Sequence, residues 1–440
     1  MLYDVAVIGG GLSGLSAALK LVKEGKNVVL IEKDELGGRS NSIFRDGFIM
    51  DSGAVYIVYF GNSLKYVLKN INFPKNDMIE VSKNIVYFYD AKLHALDFST
   101  KISLLISLLK CKLIKKNRKN LMNFIKFYLT CAKAFGEIKK NYKFLQKYNN
   151  TDARSFTRKY FDDELIDKIF EPISLTFLFS EMKNVSASIF IVLIGSFMDF
   201  ENKIYNPRFG MSQITRCIHQ SIKKKYKVQK ACVKKITKKG ATFLVRTDKN
   251  VLRSRCIICS IPYSDTKKLI NKNPTQHNIK HIPIISLYSG LKSPLEKLKN
   301  NHLCFFDKNS EVILTGECKN KNYNLVPDGN GMLYSIISPK FTEKFIGMHK
   351  SEIENIFDKK LSEIFEDYNK KKLFFKVIKW DKAFSLNDVE YFKKIDPLSD
   401  IDGFFLCGDS ILSGLDGVAE SGLNAAGEAL KYLSHPIVQQ

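Results

Sequence analysis

The chain has 440 residues, too many for one simple core, and 45% hydrophobic with 12% aromatic content excludes a disordered polypeptide. No apolar run reaches membrane-spanning length; the longest, Ser188 to Met198, reads as a buried segment. The net charge is +24, and residues 101–150 hold 13 Lys or Arg against one acid, Glu137, so half of it forms a patch.

From Tyr3 the sequence runs YDVAVIGGGLSGLSAALKLVKEGKNVVLIEKDELGGRS. Val5–Ile8 predicts an apolar strand, the Ala/Leu-rich stretch after Gly11 a helix, and Val28–Ile31 a second strand that ends at Glu32. Gly9 permits a tight turn, Gly11 lets the backbone approach a pyrophosphate, and Gly14 lets the helix pack closely on the strand. The helix N-terminus at Leu12 and Ser13 offers N–H groups and positive partial charge to phosphates. Glu32, followed by Lys33, stands where a carboxylate accepts hydrogen bonds from ribose hydroxyls and repels a 2′-phosphate. A strand opening this early leaves no room for a signal peptide, which predicts a cytoplasmic protein. Nine cysteines without framework spacing fit reduced thiols there. Cys256 and Cys259 are spaced like a redox motif but lie on a predicted strand, so their side chains face opposite ways and read as core. The seven histidines form no metal-ligand cluster.

Gly37, Gly38, Arg39 and Ser42 come directly after the acid-bearing strand, then Asp51 and Gly53. Here the chain resembles the flavin amine oxidase superfamily, which includes monoamine oxidases, protoporphyrinogen oxidases and phytoene desaturases. The resemblance implies an α/β fold: a discontinuous Rossmann-like FAD-binding domain of the GR2 type, with a mixed substrate domain of strands plus a helical insert. It implies noncovalent FAD, with Gly38 and Arg39 lining the pyrophosphate and flavin edge. The expected segments are 1–80, 205–275 and 393–440 for the FAD-binding domain. A helical, membrane-facing insert is expected over 81–204, and a substrate sheet with a helix over 276–392.

In the first insert, Ile102, Leu105, Ile106, Leu109 and Leu113 recur at helical spacing, and Leu121, Phe124, Ile125, Tyr128, Leu129 and Ala132 form a second stripe. Lys110, Lys112, Lys115, Lys116, Arg118 and Lys119 cluster between them. Such helices suit an anionic membrane surface, which predicts a cytoplasmic protein peripheral to a membrane. The alternative is packed helices whose stripes are core and whose charge is a solvated face. Nucleic acid is not an expected partner, since no recognised binding fold accompanies the charge. Glu171 and Pro172 resemble the family's turn before the substrate chamber.

Tyr205–Ile214 reads as a Pro-x-x-Gly turn leading a helix back into the cofactor domain, and residues 227–262 as a hairpin ending in a buried strand. By resemblance, Val233 contacts adenine through its backbone. In the second insert, Trp380 is placed at the edge of the substrate cavity or in the core, and Ser385 replaces the proline usual in the family. Near the end, Gly408 and Asp409 resemble the family's G-D, with Asp409 accepting a ribityl hydroxyl. Gly417 and Val418 then open a helix over the flavin. A helix N-terminus there stabilises the negative charge of the reduced ring.

The implied reaction is dehydrogenation or oxidation of a bulky apolar substrate, isoprenoid, carotenoid-like or porphyrinogen, by hydride transfer to flavin N5. Amine oxidases of the family hold a lysine on a strand comparable to 282–292, where this chain has Ile285, Ser286 and Leu287, with Lys292 only at its end. A flavin amine oxidase is the alternative. A redox-neutral flavin isomerase or mutase is the second alternative.

Overall fold

The computed structural model describes every residue except 60, 90–91, 116–117, 141–146, 271–278, 390–400 and 435–440. Its strands form two seven-stranded sheets and two small ones. In the first large sheet, β1 (Leu2–Ile8) lies between β2 (Val28–Glu32) and Val251–Cys259, all parallel. Lys227–Lys230 extends the parallel set beyond β2, and Phe404–Leu406 extends it beyond Val251–Cys259. The antiparallel hairpin of Val233–Lys239 and Thr242–Thr247 joins the first half of Val251–Cys259. Parallel strands covered on both faces must be apolar throughout. Accordingly Val5–Ile8 and Val28–Ile31 are buried without a break.

One face of this sheet packs against α1 (Leu12–Lys23) and the C-terminal helix Gly414–Ser434. The other packs against the hairpin through Ile236, Phe243 and Val245. Cys256 joins the first of these cores and Cys259 the second, so the pair divides across the sheet as expected. All nine cysteines are free. The C-terminal helix crosses α1 at very short range. A Cβ built on Gly422 would lie 2.2 Å from the Ser13 carbonyl oxygen, and one on Gly14 would lie 2.1 Å from that of Gly9. Glycine at these two positions sets how closely helix meets helix and helix meets strand.

The second large sheet runs in the order Lys372–Ser385, His281–Leu291, Gly331–Ile337, Val312–Glu317, Cys304–Phe305, Asn84–Tyr89, Lys92–Asp97. Its last two strands come from the stretch expected to be helical, so that insert opens as a hairpin before its helices begin. The β-branched and aromatic run at Ile85, Val86 and Tyr87 favours a strand, and all three side chains are buried.

After α2 (Ser63–Asn70) come α3 (Lys101–Lys110), α4 (Lys112–Lys115) and α5 (Arg118–Lys140). The start of α3 is set by a capping box: Thr100 Oγ1 accepts from Ser103 N, and Thr100 N donates to Ser103 Oγ, both at 3.0 Å. The helix then turns an unexpected side outward. Leu104 and Leu108 are buried, whereas Ile102, Leu105, Ile106 and Leu109 are exposed. On α5, Phe124 and Phe127 enter an aromatic core with Phe156, Phe161 and Phe170. Ile125 and Leu129 stay exposed. The apolar stripes are therefore not simply core, and the burial falls partly on neighbouring positions. Of the basic cluster, Lys116 lies outside the described residues, as do the side chains of Leu113, Lys115, Arg118 and Lys119.

The run Ser188–Met198 lies in the buried helix Ala187–Met198. Among the described residues no helix is long and apolar enough to cross a membrane.

Gly422→Ala is expected to push the C-terminal helix off α1 and cost about 1–3 kcal/mol, read as a lower urea midpoint. Gly427→Ala is the control. Its Cβ would meet only the flexible end of Lys20 at 3.1 Å, so the change should be neutral or stabilise by up to about 1 kcal/mol.

Candidate active site

The turn from β1 into α1 is built on Gly9, whose φ of +99° excludes most side chains. The helix cap, Gly11, has no side chain to satisfy the first turn, and that turn carries no acid. A Cβ on Gly11 would meet nothing within 4 Å. The N-terminus of α1 thus faces open space with its donors available, which is what a pyrophosphate requires. Leu12 packs into the core beneath, and Ser13 is buried behind it.

Glu32 ends β2 with its carboxylate fixed at both oxygens: Oε2 accepts from Gly10 N at 2.7 Å and Oε1 from Asp34 N at 2.9 Å. Each oxygen keeps capacity for another donor. Ala231 N donates to the Glu32 carbonyl at 2.8 Å, which brings Val233 to the same end of the sheet. Lys33 is different. Its side chain is exposed and lies 3.7 Å from Asp34, so only its backbone belongs to this end.

The second glycine pair docks on the first. Gly37 N donates to Gly10 O at 2.8 Å, and Gly38 comes within contact of Gly11. Arg39 then reaches across the chain, donating from Nη1 to Ala383 O and from Nη2 to Asp409 Oδ1, both at 2.6 Å. Asp409 Oδ2 accepts from Ser385 N at 3.0 Å and from Ser385 Oγ at 2.9 Å. Burial alone would raise this carboxyl, but the Arg39 guanidinium and the Ser385 hydroxyl outweigh it and hold Asp409 below the usual carboxylate range. A proline at position 385 would have no N–H to give. The departure from the family pattern therefore supplies two of the bonds that hold Asp409.

Gly408 adopts φ +110° and donates from N to Ser421 Oγ at 2.9 Å. It stands near Ser13, so the two ends of the chain meet here. The helix expected to open at Gly417 begins at Gly414, which has φ +75°; Gly417 and Val418 lie in its first two turns. Asp416 in that first turn is buried and accepts from Gly61 N and, at 2.8 Å, from Leu64 N, where α2 begins. Cys407 is a core thiol, pushed well above its ordinary pKa by burial. Among the described residues no group of His, Cys, Asp and Glu could hold a metal ion.

Near this site, Asp51 of the glycine-rich stretch gathers several partners, and Lys321 among them carries no sequence motif. Asp51 Oδ1 accepts from Ser42 Oγ at 2.9 Å and from Met211 N at 2.7 Å. Its Oδ2 accepts from Asn206 Nδ2 at 3.0 Å and Lys321 Nζ at 3.4 Å. Both members of the Asp51–Lys321 pair are buried. Lys321 also lies 5.5 Å from the centre of the Tyr56 ring, and near His302, whose pKa burial and Lys321 push down to about 4. His302 is thus neutral at ordinary pH. No periodicity links residues 51 and 321; only the tertiary fold does.

On His281–Leu291, Ile285 and Leu287 point into one core, while Tyr288 points toward Tyr334 and donates to Asp51 O at 2.8 Å. Ser286 is buried 3.5 Å from Tyr334 Oη. Lys292 lies beyond the strand and is exposed. Trp380 pairs with Ile284 and donates from Nε1 to Ser52 O at 2.5 Å, so it tethers the segment leading to Gly53 while its ring packs on the core. Phe384, adjacent to Ser385, meets Phe179 edge-on at 5.4 Å. Phe179 is held at φ +52°, a conformation a bulky side chain rarely takes. Lys382 pairs with Asp265. Glu171 has a structural part: it is buried, accepts from Met182 N at 3.0 Å and lies 3.0 Å from Arg154.

Residues 12–430 match the family described as flavin containing amine oxidoreductase. A probable flavin-containing monoamine oxidase A of Dictyostelium discoideum is 36% identical over 99 residues, 20% of this chain and 21% of that protein. A 4,4'-diapophytoene desaturase (4,4'-diaponeurosporene-forming) of Staphylococcus aureus is 37% identical over 87 residues, 20% of this chain and 17% of that protein. The chain therefore matches about a fifth of the length of these curated relatives. In fold it is similar to a putative protoporphyrinogen oxidase from Exiguobacterium sp. 255-15, with a TM-score of 0.76, 12% identity, and coverage of 98% of this chain and 99% of that one. The expected α/β fold is thus shown, and with the family match spanning nearly the whole sequence, the chain belongs to the flavin-containing amine oxidoreductases.

Proposed function

We propose that the enzyme dehydrogenates or oxidises a bulky apolar substrate, isoprenoid, carotenoid-like or porphyrinogen in class, rather than an amine. One observation carries this reading. Phe384 of the Phe179–Phe384 pair directly precedes Ser385, which holds Asp409, and Asp409 and Asp265, the partner of Lys382 on the same strand as Phe384, each already face a cation, Arg39 and Lys382. These two carboxylates are already paired and offer little to a protonated amine, whereas an apolar substrate meets aromatic surface. The lack of a lysine at 285–287 on the strand His281–Leu291 agrees with it. The partial likeness to a monoamine oxidase supports the amine reading as the second.

FAD supplies the hydride acceptor at N5. The chain's own residues bind and orient it. Gly9, Gly11, Leu12, Ser13 and Gly14 present the α1 N-terminus to the pyrophosphate. Glu32, with the backbone of Lys33 and Val233, holds the adenosine end. Gly38, Arg39, Gly408, Asp409, Gly417 and Val418 surround the flavin end, and Trp380 with the two phenylalanines keeps water from the reacting bond. In this reading segments 1–80, 205–275 and 393–440 form the cofactor domain, with the substrate chamber between the inserts.

Binding is noncovalent, and acid precipitation is expected to leave FAD in a yellow supernatant; a yellow pellet would mean a covalent link. Glu32→Ala should weaken FAD binding by about 1–3 kcal/mol, roughly 5- to 150-fold in Kd, because ribose hydroxyls lose their acceptor. Glu32→Gln, which keeps one acceptor oxygen, should lose less. Equal FAD affinity in all three proteins would remove Glu32 from the site.

Anaerobic mixing with polyenes, porphyrinogens and amines should bleach the flavin near about 450 nm with a member of the first two classes only. Bleaching by amines alone would establish the second reading. Turnover of a substrate that needs a pre-reduced flavin and leaves it reduced would identify an isomerase or mutase instead.

A further inference from the structure

We propose that the outward faces of α3 and α5 dock this protein on an anionic lipid surface. Seven of the 17 large apolar side chains exposed among the described residues fall between positions 102 and 129. Ile102, Leu105, Ile106 and Leu109 form an i, i+3, i+4, i+7 stripe on α3, with Ile102 72% exposed. Met122, Ile125 and Leu129 repeat the spacing on α5, where Leu129 is 59% exposed. A soluble protein keeps so concentrated an apolar surface in water only where something covers it.

Neither stripe is needed to hold its helix in place. Leu104 and Leu108 of α3, and Phe124, Phe127 and Cys131 of α5, anchor the opposite sides in one shared core. The exposed faces are surplus to folding.

The charge around them identifies the occupant. Lys101 and Lys110 stand at the two ends of the α3 stripe, Lys112 follows, and Lys126 and Lys133 share the outward side of α5; all five are exposed. They belong to the 101–150 stretch with its net +12. A second copy of the chain is disfavoured by that number, since a two-fold contact would press like charge on like charge. A nucleic acid would satisfy the lysines but not the aliphatic side chains, which have neither donors for base edges nor rings for stacking. An anionic bilayer satisfies both. Leucine, isoleucine and methionine enter the boundary with the acyl chains, and lysine stems run along it with their ammonium groups among the phosphates.

The inference rests on the proposed function only for its purpose, which is to bring an apolar substrate from the bilayer to the flavin. Vesicle binding and turnover are read separately, so either can fail alone.

The experiment is co-sedimentation of the full-length, flavin-loaded protein with phosphatidylglycerol–phosphatidylcholine vesicles and with phosphatidylcholine alone. Salt is set at about 0.1 M and about 1 M, which shortens the screening length from ~10 Å to ~3 Å. Wild type should prefer the anionic vesicles at least about ten-fold at low salt and lose most of that preference at high salt. Changing Lys101, Lys110, Lys112, Lys126 and Lys133 together to Gln should remove the preference. The variant Ile102→Gln, Leu105→Gln, Leu109→Gln should bind at least about ten-fold more weakly while keeping its salt dependence. Flavin absorbance and melting temperature, unchanged in both variants, show that they are folded. Wild type that ignores lipid charge, or folded variants that bind as well as wild type, would overturn the proposal. So would a dimer in size-exclusion chromatography that the stripe variant dissolves, in the absence of vesicle binding.

Discussion

Arg39 and Asp409, 370 positions apart in the chain, are hydrogen-bonded at 2.6 Å, and this end of the first large sheet is organised around that pair. Through its other nitrogen Arg39 holds the carbonyl of Ala383, and through its second oxygen Asp409 holds Ser385. Three distant stretches, the loop after β2, the end of the strand Lys372–Ser385 and the turn after Phe404–Leu406, are thereby joined at one point. Guanidinium suits the task because its planar fork serves two acceptors in fixed directions and stays charged when buried. Removing either charge would leave the other in a poorly hydrated site, which is why such a pair determines its surroundings more than its net stabilisation suggests.

Asp51 performs a matching task beside the second large sheet. It gathers a side chain from Ser42, the Asn206 amide, the start of the helix Ser212–Ile222 and the ammonium of Lys321. Tyr288 adds a bond to its carbonyl. The strand His281–Leu291 is thus tied, through Tyr288, to the residue just before the Ser52–Gly53 segment that Trp380 also grips. The start of the helix Ser212–Ile222 and the second large sheet are thereby joined at one residue.

The helical insert follows a different logic. Its inner faces carry an aromatic core dense enough to hold the helices without their outer stripes. Apolar periodicity by itself identifies a helix and one of its faces, but not whether that face is turned inward. On α3 two apolar stripes exist, and burial chose Leu104 and Leu108 over the more regular set at Ile102, Leu105, Ile106 and Leu109.

The sequence by itself determined the strand–helix–strand unit with which this chain begins. Gly9, Gly11, Gly14 and Glu32 lie within one strand–helix–strand unit, where each requirement, a positive φ, a close approach or an acid at a strand end, acts on neighbours and leaves a local mark. Gly37 to Arg39 and Gly408–Asp409 were legible for the same reason, as short patterns with strict backbone demands. Tertiary structure alone decided that Ser385 supplies the N–H a proline would lack, that Lys321 neutralises Asp51, and that Phe179 meets Phe384. It also decided that the hairpin 84–97 completes the second sheet and that the α3 stripe faces outward. These are long-range choices between side chains that are locally acceptable in several arrangements. Burial, charge pairing and the geometry of a shared interior select among them, and none of these is a property of a short stretch of chain.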